Sequence, residues 1–472
     1  MCFHPELLKK SINAFSKYYE INNFYNAIYF NSFLNAVKDI KQNDIRNDRE
    51  TKAKNLLNIW FENMDREFDE KLRSDNFINL FNQYIKRSLD LFNGIGGKYM
   101  CPQLIYHDFI DLYLKYFYSP AISYSKEFNL SDHEIIFQKD NIKLLHYINN
   151  NTSHHHQQTK ETENNNILLV IYAQINRFHI LDLNSSKSIV KALLNNGIDV
   201  YLLDWGYPDK KDNDLTLKDY VDYIDDAVDT IIQSRSLDSS SVPIKISILG
   251  YCWGGITSLI YTATTAINKK NIIDKLILMA TPIDFSKDNT TVSMWTKSID
   301  TDKIIDTFGH FDGYLLDFLF TMRNPVKFLF AKYFSLWNKL DNKEFVNTFF
   351  DVEKWLHDTP PIPGELYKKI VNEIYRDNLL ISGKMKLCVN EEKGNVNDNT
   401  ININKITIPV LSIIAEKDDL VSPMSSLAIN NYISSKETET FTHPGGHVSL
   451  CISDQAHKEL WPKVANWIRL KK

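Results

Sequence analysis

The feature that most constrains this 472-residue chain is an apolar strand that runs into a cysteine placed between glycines. The strand IKISILG (residues 244–250) leads into GYCWGG (residues 250–255), and the helix-like sequence ITSLIYTATTA follows. Glycine has no β-carbon, so it fits where a strand and a helix approach closely, and the residue between such glycines occupies a strained turn. The pattern therefore predicts a sharp strand-to-helix turn that presents the thiol of Cys252.

Apolar strands alternate with helices on both sides of this turn. Strands are predicted at residues 167–173, 198–204, 244–250, 275–280, 408–415 and 439–443. Helices are predicted near residues 186–195 and 217–233, the second opened by the capping-box pair Thr216 and Asp219, and a last helix at about residues 455–470. Apolar strands separated by helices are typical of a mostly parallel sheet covered on both faces, so the sequence predicts the α/β class.

Composition shifts along the chain predict four segments. Residues 1–95 have helix-spaced apolar positions, which predicts a helical N-terminal extension. Residues 130–285, which open with a hairpin of HEIIFQ and IKLLHYI, and residues 401–472 form the two parts of the predicted core. Residues 286–400 are aromatic-rich and helix-like, and they are interpreted as a helical cap or lid over the C-terminal edge of the sheet. The polar tract at 149–166 is predicted to be a disordered loop.

Net charge and hydropathy exclude several classes of protein. Lys and Arg number 54 against 59 Asp and Glu, a net charge of −5, and no long basic run is present, which argues against nucleic acid as a partner. The sequence shows no secretory leader pattern and no apolar stretch near the ~18 residues of a membrane helix. A cytoplasmic protein without a transmembrane segment is therefore predicted.

Cysteine spacing predicts reduced thiols rather than a disulfide framework or a zinc site. The five cysteines are odd in number, widely scattered and contain no C-x-x-C pair. The histidine run at 154–156 lies in a polar low-complexity tract, so it supplies no fixed coordination geometry. No metal is predicted, and Cys252 is the cysteine whose setting favours chemistry.

Two further sequence features supply the partners that a cysteine nucleophile requires. A nucleophile at such a turn, called a nucleophile elbow, works with a general base and with an acid that orients the base, in chain order nucleophile, acid, histidine. Asp418 follows the strand IPVLSIIA, and His447 follows the strand ETFTH in the loop PGGH. We therefore predict a catalytic triad of Cys252, Asp418 and His447. Asp418 is preferred over Asp419 because it lies closer to the end of its strand.

Together these motifs resemble the poly(3-hydroxyalkanoate) synthases, in particular the two-subunit classes III and IV, over about residues 133–470. The sequence GYCWGG resembles the lipase-like box of that family, and YLLDWGYP (residues 201–208) resembles its Asp-Trp-Gly segment. The other matching segments are residues 175–177, 181–183, 353–355, the Asp418 segment and the PGGH loop. The sequence departs from the family at Asp419, where histidine is common, and at Trp253, which is bulkier than the usual residue there.

The resemblance implies an α/β-hydrolase fold and an acyltransferase that polymerises (R)-3-hydroxyacyl-CoA into polyhydroxyalkanoate with release of CoA. Cys252 would carry the acyl group as a thioester, and His447 would take the thiol proton. Asp418 would fix the tautomer of His447 or help to deprotonate the attacking 3-hydroxyl. The backbone N–H groups of Trp253 and Ile175 would bind the oxyanion. No cofactor and no metal are implied, only the CoA thioester substrate.

The resemblance also implies partners and a location. The protein would lie in the cytoplasm at polyhydroxyalkanoate granules, in contact with the growing polyester chain and the granule surface. A second synthase subunit and a homodimer are further expectations from the family.

Two alternative functions are open to this sequence. One is a cysteine-dependent α/β hydrolase of the dienelactone-hydrolase or depolymerase type, since dienelactone hydrolases also carry a G-Y-C-x-G-G turn. Against it, Asp418 lies 166 residues after Cys252, which is too far for a minimal hydrolase. The other is a non-enzymatic granule-associated scaffold, which would be expected to have a broken triad, whereas all three residues are present here.

Overall fold

A computed structural model of the chain describes residues 128, 130–148, 166–236, 243–269, 271–324, 327–328, 332, 339, 342–387 and 400–470. The predicted helical extension over residues 1–95 lies outside the described residues. The predicted loop over residues 149–166 does too, apart from Asn166.

Within the described residues, eight strands form one sheet in the order β1-β2-β4-β3-β5-β6-β9-β10. Their bounds are β1 His133–Lys139, β2 Ile142–Tyr147, β3 Ile167–Ile171, β4 Asp199–Asp204, β5 Ile246–Tyr251, β6 Ile273–Met279, β9 Val410–Ala415 and β10 Thr438–His443. The hairpin β1–β2 is antiparallel and β2 is antiparallel to β4, while every other pairing is parallel. The predicted mostly parallel α/β sheet is therefore confirmed. A short antiparallel pair, β7 (His310–Phe311) with β8 (Ile362–Pro363), is separate from it.

The central strands are buried on both faces and end at a common edge. Every residue of β3, β5 and β9 is buried, as expected of apolar strands in a parallel sheet that helices cover on both sides. Ile171 at the end of β3 pairs with Gly250 near the end of β5, and Ala415 at the end of β9 pairs with His443 at the end of β10. The loops that follow these four strands therefore emerge at one edge of the sheet, and these loops carry the predicted site residues.

The described helices connect the strands and complete the fold. Their bounds are α1 Ile189–Asn195, α2 Leu217–Ser236, α3 Trp253–Ala263, α4 Thr291–Ser298, α5 Thr301–Phe308, α6 Gly313–Met322, α7 Lys343–Leu356, α8 Gly364–Lys369, α9 Pro423–Leu427, α10 Ser449–Ile452 and α11 Trp461–Arg469. A π-helical turn, Ile370–Arg376, continues α8, and another, Ala456–Leu460, precedes α11. Among the described residues, none of these helices combines the length and the hydropathy that a bilayer crossing requires.

Capping side chains decide where two of these helices begin. The Thr216 N–H donates to Asp219 Oδ2 at 2.7 Å and the Asp219 N–H donates to Thr216 Oγ1 at 3.4 Å, so the predicted capping box before α2 is confirmed. Helix α1 begins three residues later than predicted. The reason is that Ser188 caps the helix, because its Oγ accepts the Lys191 N–H at 2.9 Å. The residues before Ser188 form a turn instead, in which the Lys187 N–H donates to the Asn184 carbonyl.

The chain divides into two compact units. Of the described residues, the first unit holds those within 298–307 and 314–346, and the second holds the whole eight-stranded sheet together with residues 308–313 and those within 347–470. The predicted cap over residues 286–400 contributes to both units. Its role as a lid, like the predicted segment boundaries, stays a prediction.

A buried carboxylate gives a test of how the fold is held together. Asp182 is 1% exposed and accepts hydrogen bonds from the Ser131 N–H at 2.6 Å, from Ser131 Oγ at 2.9 Å and from Ser188 Oγ at 2.5 Å. We expect Asp182→Ala to lower the free energy of unfolding by about 3 kcal/mol, because three buried donors lose their acceptor. Denaturant unfolding followed by tryptophan fluorescence measures it. The control is Asp226→Ala, which removes an exposed ion pair with Lys139 and should cost less than about 1 kcal/mol; equal losses in the two variants would contradict the expectation.

Candidate active site

The turn between β5 and α3 holds Cys252 in a strained backbone conformation. Cys252 has φ 55° and ψ −120°, outside the regions that non-glycine residues ordinarily populate. A β-carbon on Gly250 would lie 2.4 Å from the Gly255 Cα, and one on Gly254 would lie 2.2 Å from the Ile171 carbonyl oxygen. Both distances are too short for any side chain, so glycine at these positions is what allows α3 to approach the sheet.

Backbone hydrogen bonds fix this turn from both sides. The Cys252 N–H donates to the Met279 carbonyl at 2.9 Å, and the Gly255 N–H donates to the Cys252 carbonyl at 2.9 Å. Trp253 is the first residue of α3, and the first N–H groups of a helix have no acceptor within the helix. The Trp253 N–H, which was predicted as an oxyanion donor, is thus a helix-terminal donor directly beside the thiol.

The three residues of the predicted triad lie together at this edge of the sheet. His447 Nδ1 is 2.7 Å from Asp418 Oδ2, and Cys252 lies close enough to His447 to influence its pKa. Asp418 and His447 are 8% and 6% exposed, whereas Cys252 is only partly buried. Because Nδ1 faces the carboxylate, Nε2 is the imidazole nitrogen left for the sulfur.

Asp418 is oriented by the chain that follows it. Its Oδ1 accepts the N–H groups of Leu420 at 2.9 Å and Val421 at 3.0 Å, which leaves Oδ2 directed at His447. Asp419, the alternative acid, is half-buried. The preference for Asp418 therefore has a geometric basis.

His447 is held in a loop that is tied to the neighbouring strands. The Lys417 N–H donates to the Gly445 carbonyl at 2.9 Å, which joins the loop after β10 to the loop after β9. The ring of Tyr251 stacks on the imidazole with ring centres 4.9 Å apart, and its hydroxyl donates to the His447 carbonyl at 3.3 Å. The imidazole is thereby fixed in both position and plane.

The protonation of His447 follows from its two neighbours. Burial is the largest influence and opposes the charged form, but the Asp418 carboxylate and the Cys252 sulfur, with the hydrogen bonds to both, raise the pKa of His447 from 6.5 to about 10. The geometry therefore favours an imidazolium between a carboxylate and a sulfur. That arrangement prepares a cysteine for nucleophilic attack.

The loop after β3, which contains the second predicted oxyanion donor Ile175, is pinned by its neighbours. Asn176 has φ 58°, and its side-chain amide donates to Thr359 Oγ1 at 2.7 Å and to the Leu356 carbonyl at 3.1 Å. The close approach of Gly254 to the end of β3 keeps this loop beside the elbow. The roles of Ile175 and Trp253 as oxyanion donors stay predictions.

The Asp-Trp-Gly segment after β4 also supports that loop. Asp204 forms an ion pair with Arg177, whose Nη2 lies 3.2 and 3.1 Å from the two carboxylate oxygens. The Trp205 indole Nε1 donates to the Tyr172 carbonyl at 2.7 Å. These side chains position the loop after β3. Among the described residues, their hydrogen bonds and ion pair do not involve Cys252, Asp418 or His447.

Tyr375 is a site residue that sequence reasoning missed. Its hydroxyl accepts a hydrogen bond from the Trp253 indole Nε1 at 2.7 Å, and its ring lies 3.9 Å from that of Phe285. Burial, and then the charge of Cys252, raise the pKa of Tyr375 well above its ordinary value. Tyr375 lies 122 residues after Trp253, in a π-helical turn within the predicted cap, and no spacing pattern connects them. Short π-helical turns often occur at functional sites, but only a structure shows where such a turn lies.

No group of three or more metal-ligating side chains occurs in the described part of the chain. The second described cysteine, Cys451, is fully buried, and burial raises the pKa of its thiol to about 12. Such a thiol is unreactive at neutral pH, which leaves Cys252 as the chemically competent one of the two.

The sequence and the fold of this chain are similar to those of known proteins. A family model for the alpha/beta hydrolase fold matches residues 178–451. The poly(3-hydroxyalkanoate) polymerase subunit PhaC of Thiocystis violacea is 35% identical over 300 residues, which cover 63% of this chain and 79% of the relative. The corresponding subunit of Synechocystis sp. is 32% identical over 307 residues, covering 63% and 76%. Among solved structures, a soluble variant of monoglyceride lipase from Saccharomyces cerevisiae is 12% identical, with 74% of this chain and 98% of that chain covered and a TM-score of 0.45.

The elbow glycines give a test of the turn. We expect Gly254→Ala to lower the free energy of unfolding by about 3 kcal/mol or more, because its β-carbon would meet the backbone of Ile171 and Tyr172, which cannot move aside cheaply. Denaturant unfolding measures the loss. Gly383→Ala is the matched control: φ is +65° there but nothing lies within 4 Å of the added carbon, so only the backbone strain of about 1 kcal/mol is expected. A Gly254→Ala variant as stable as this control would mean that the turn is not tightly packed.

The protonation of His447 predicts a pH dependence. Since the native pKa is raised above the unfolded value of 6.5, the charged imidazole stabilises the fold in full below pH 6.5, and this contribution is lost as the pH rises through about 10. Asp418→Asn removes the carboxylate, so it should lower the pKa of His447 and flatten the pH dependence of stability between these limits. NMR titration of the imidazole and unfolding at several pH values measure the two effects. Asp226→Asn, on the surface, is the control. If the pKa of His447 stayed near 10 in Asp418→Asn, the ion pair with Asp418 could not be the cause of the raised pKa.

Proposed function

Because the chain belongs to the poly(3-hydroxyalkanoate) polymerases, which have the α/β-hydrolase fold, we propose that it polymerises (R)-3-hydroxyacyl-CoA through an acyl thioester on Cys252. As a member of this family it is an acyltransferase that makes polyester. The observation that supports the proposed mechanism best is the 2.7 Å contact of His447 with Asp418 beside the strained elbow that carries Cys252.

The first half of the proposed reaction transfers the acyl group to the enzyme. His447 takes the proton of Cys252, and the sulfur attacks the thioester carbonyl of the substrate. The negative charge that develops on the carbonyl oxygen is stabilised by the N–H groups of Trp253 and Ile175. When the bond between the carbonyl carbon and the CoA sulfur breaks, the imidazolium of His447 returns its proton to the departing CoA thiolate. One thioester is exchanged for another, so the acyl group remains activated.

The second half transfers the acyl group to a hydroxyl. His447, now neutral, takes the proton from the 3-hydroxyl at the end of the growing chain, and the oxygen attacks the carbonyl of the acyl-Cys252. An ester bond forms and the bond to the Cys252 sulfur breaks. His447 then gives the proton it took from the hydroxyl to the Cys252 thiolate, which restores the starting state. Asp418 holds the imidazole in the tautomer that both halves need. A serine ester in the same place would have lost most of the activation that drives this step.

Polymer rather than free acid is formed only if water is kept from the acyl-Cys252. Residues of the predicted cap that belong to the same compact unit as the sheet already contact the elbow, because Tyr375 binds the Trp253 indole. The triad members Asp418 and His447 are almost fully buried. We infer that residues of the cap exclude water during the reaction, as lids do in other enzymes.

The proposed partners follow from the family. The relatives in Thiocystis violacea and Synechocystis are named as the PhaC subunit of their polymerase, which supports a second subunit for this protein as well. A homodimer, a position at the surface of cytoplasmic polyester granules and the absence of a metal or other cofactor complete the proposal.

The reaction itself gives the decisive test. The Cys252→Ala variant should release no CoA from 3-hydroxybutyryl-CoA and form no polymer, because the acyl acceptor is gone, while its unfolding transition stays close to that of the parent. Released thiol is measured with a thiol reagent and polymer is recovered from the same reaction. Cys451→Ala, which changes the other described cysteine, should retain both signals.

Three results would contradict the proposal. Thiol release accompanied only by free acid in the parent protein would identify a hydrolase. Polymer from the Cys252→Ala variant would exclude the acyl-Cys252 intermediate. The absence of CoA release from the parent protein would favour the granule-associated scaffold.

A further inference from the structure

The first residue of α3 and a residue of the predicted cap share a buried hydrogen bond. The Trp253 indole Nε1 donates to the Tyr375 hydroxyl at 2.7 Å, and the two rings meet edge to face with their centres 6.0 Å apart. Trp253 is 4% exposed and Tyr375 is 5% exposed. Because the indole N–H finds its acceptor within the protein, it needs no water in this place.

The residues around Tyr375 hold it against the elbow. Its ring packs on that of Phe285, with ring centres 3.9 Å apart, and Phe285 is 1% exposed. Just beyond the π-helical turn that contains Tyr375, the Asn378 side chain donates to Asp284 Oδ1 at 2.9 Å and accepts the Phe285 N–H at 3.3 Å. The loop after β6 and the π-helical turn are therefore bound to each other, which fixes Tyr375 against Trp253.

This contact borders the sulfur of Cys252. Trp253 follows Cys252 directly, and Cys252 lies close enough to Tyr375 for its charge to raise the pKa of the Tyr375 hydroxyl. Cys252 is only partly buried, so part of its surroundings is open to a substrate. The part formed by Trp253 and Tyr375 is closed, because both side chains are buried and bound to each other.

A water molecule beside the acyl-Cys252 would end the proposed reaction with free acid. His447 would take a proton from the water, and the water oxygen would attack the acyl carbonyl. The bond to the Cys252 sulfur would break, and His447 would give the proton to the thiolate, which leaves a free 3-hydroxy acid. Hydrolysis uses the same base as polymer formation, so access to the carbonyl decides between water and the hydroxyl of the growing chain.

We propose that the hydrogen bond between Trp253 and Tyr375 keeps water from the acyl-Cys252 and so directs the acyl group to the hydroxyl of the growing chain. This inference rests on the proposed function, since it concerns the fate of the acyl-Cys252. Without the Tyr375 hydroxyl, the buried N–H of Trp253 has no acceptor, which costs about 1–3 kcal/mol. A water that replaces the hydroxyl would accept this N–H and would lie beside the acyl group.

The ratio of free acid to polymer tests the contact. Tyr375→Phe removes only the hydroxyl, and it should raise the ratio of free 3-hydroxybutyrate to polymer about 10-fold, because water gains a binding site. The rate of CoA release from 3-hydroxybutyryl-CoA should stay within about 2-fold of the parent rate, because acylation does not need the contact. Both products are quantified after equal CoA release. The ratio does not depend on the fraction of enzyme that is folded, so a loss of stability alone leaves it unchanged.

Tyr432→Phe is the matched control. It also removes one tyrosine hydroxyl, which donates to Asp284 Oδ2 at 3.0 Å, and it leaves the hydrogen bond of Trp253 intact. The ratio should stay at the parent value in this variant. An equal rise in both variants would indicate general loosening and overturn the proposal. An unchanged ratio in Tyr375→Phe would also overturn it, and if CoA release were then slower, Tyr375 would be assigned to acylation instead.

Hydrogen exchange of the indole tests the contact without the reaction. In protein that contains ¹⁵N-labelled tryptophan, the Nε1–H signal of Trp253 is assigned by its absence in Trp253→Phe. Its exchange with solvent should be slow in the parent and about 10-fold faster in Tyr375→Phe.

The two measurements together separate a failure of this inference from a failure of the proposed function. Fast exchange in the parent, or faster exchange in Tyr375→Phe with an unchanged product ratio, would reject the water-excluding contact alone, provided that the parent makes polymer. A parent that forms only free acid although the indole N–H of Trp253 is protected would show that both proposals are wrong.

Discussion

The rest of the site depends on one backbone conformation, the turn that carries Cys252 at φ 55° and ψ −120°. Such a conformation costs about 1–3 kcal/mol and persists only where its surroundings enforce it. Here β5 lies between β3 and β6, and the Cys252 N–H is bound to the Met279 carbonyl at the end of β6. Because Gly254 comes against the end of β3, the first N–H groups of α3 and the sulfur are presented at the same point. A substitution that moved α3 outward would displace the nucleophile and the proposed oxyanion donor together.

The loop after β3 is the second element that this arrangement requires, and it is held by residues from distant parts of the chain. Trp205 binds its start through the Tyr172 carbonyl, and the Trp355 indole donates to the Arg177 carbonyl at 2.6 Å. Asn176 is tied to Thr359, which lies beyond the end of α7. The loop is thus fixed from the β4 side and from the α7 side, next to the elbow that carries Cys252.

The sequence alone predicted the parts of the structure that local chemistry determines. Apolar runs identified the strands, the glycines beside Cys252 identified the turn, and chain order identified Asp418 and His447 as partners that the fold then brings within 2.7 Å of each other. Tyr375 could not be predicted, because its contact with Trp253 spans 122 residues and arises only from the packing of a π-helical turn on α3. The raised pKa of His447 also depends on distances and burial that a sequence does not contain.

The groups that raise the pKa of His447 are consistent with the roles that the proposed reaction gives this residue in its two halves. Before acylation, Asp418 and the Cys252 sulfur both raise the pKa of His447, so the imidazole holds a proton that it can give to the departing CoA thiolate. Acylation makes the sulfur a neutral thioester, which removes one of the two groups that favour the imidazolium and leaves burial opposed by Asp418 alone. The pKa of His447 must then fall, and a neutral imidazole is what the incoming 3-hydroxyl needs as its general base. In the proposed reaction, the covalent state of Cys252 would therefore decide whether His447 acts as an acid or a base. Asp418 is held by the N–H groups of Leu420 and Val421, so it can stay paired with His447 in both states.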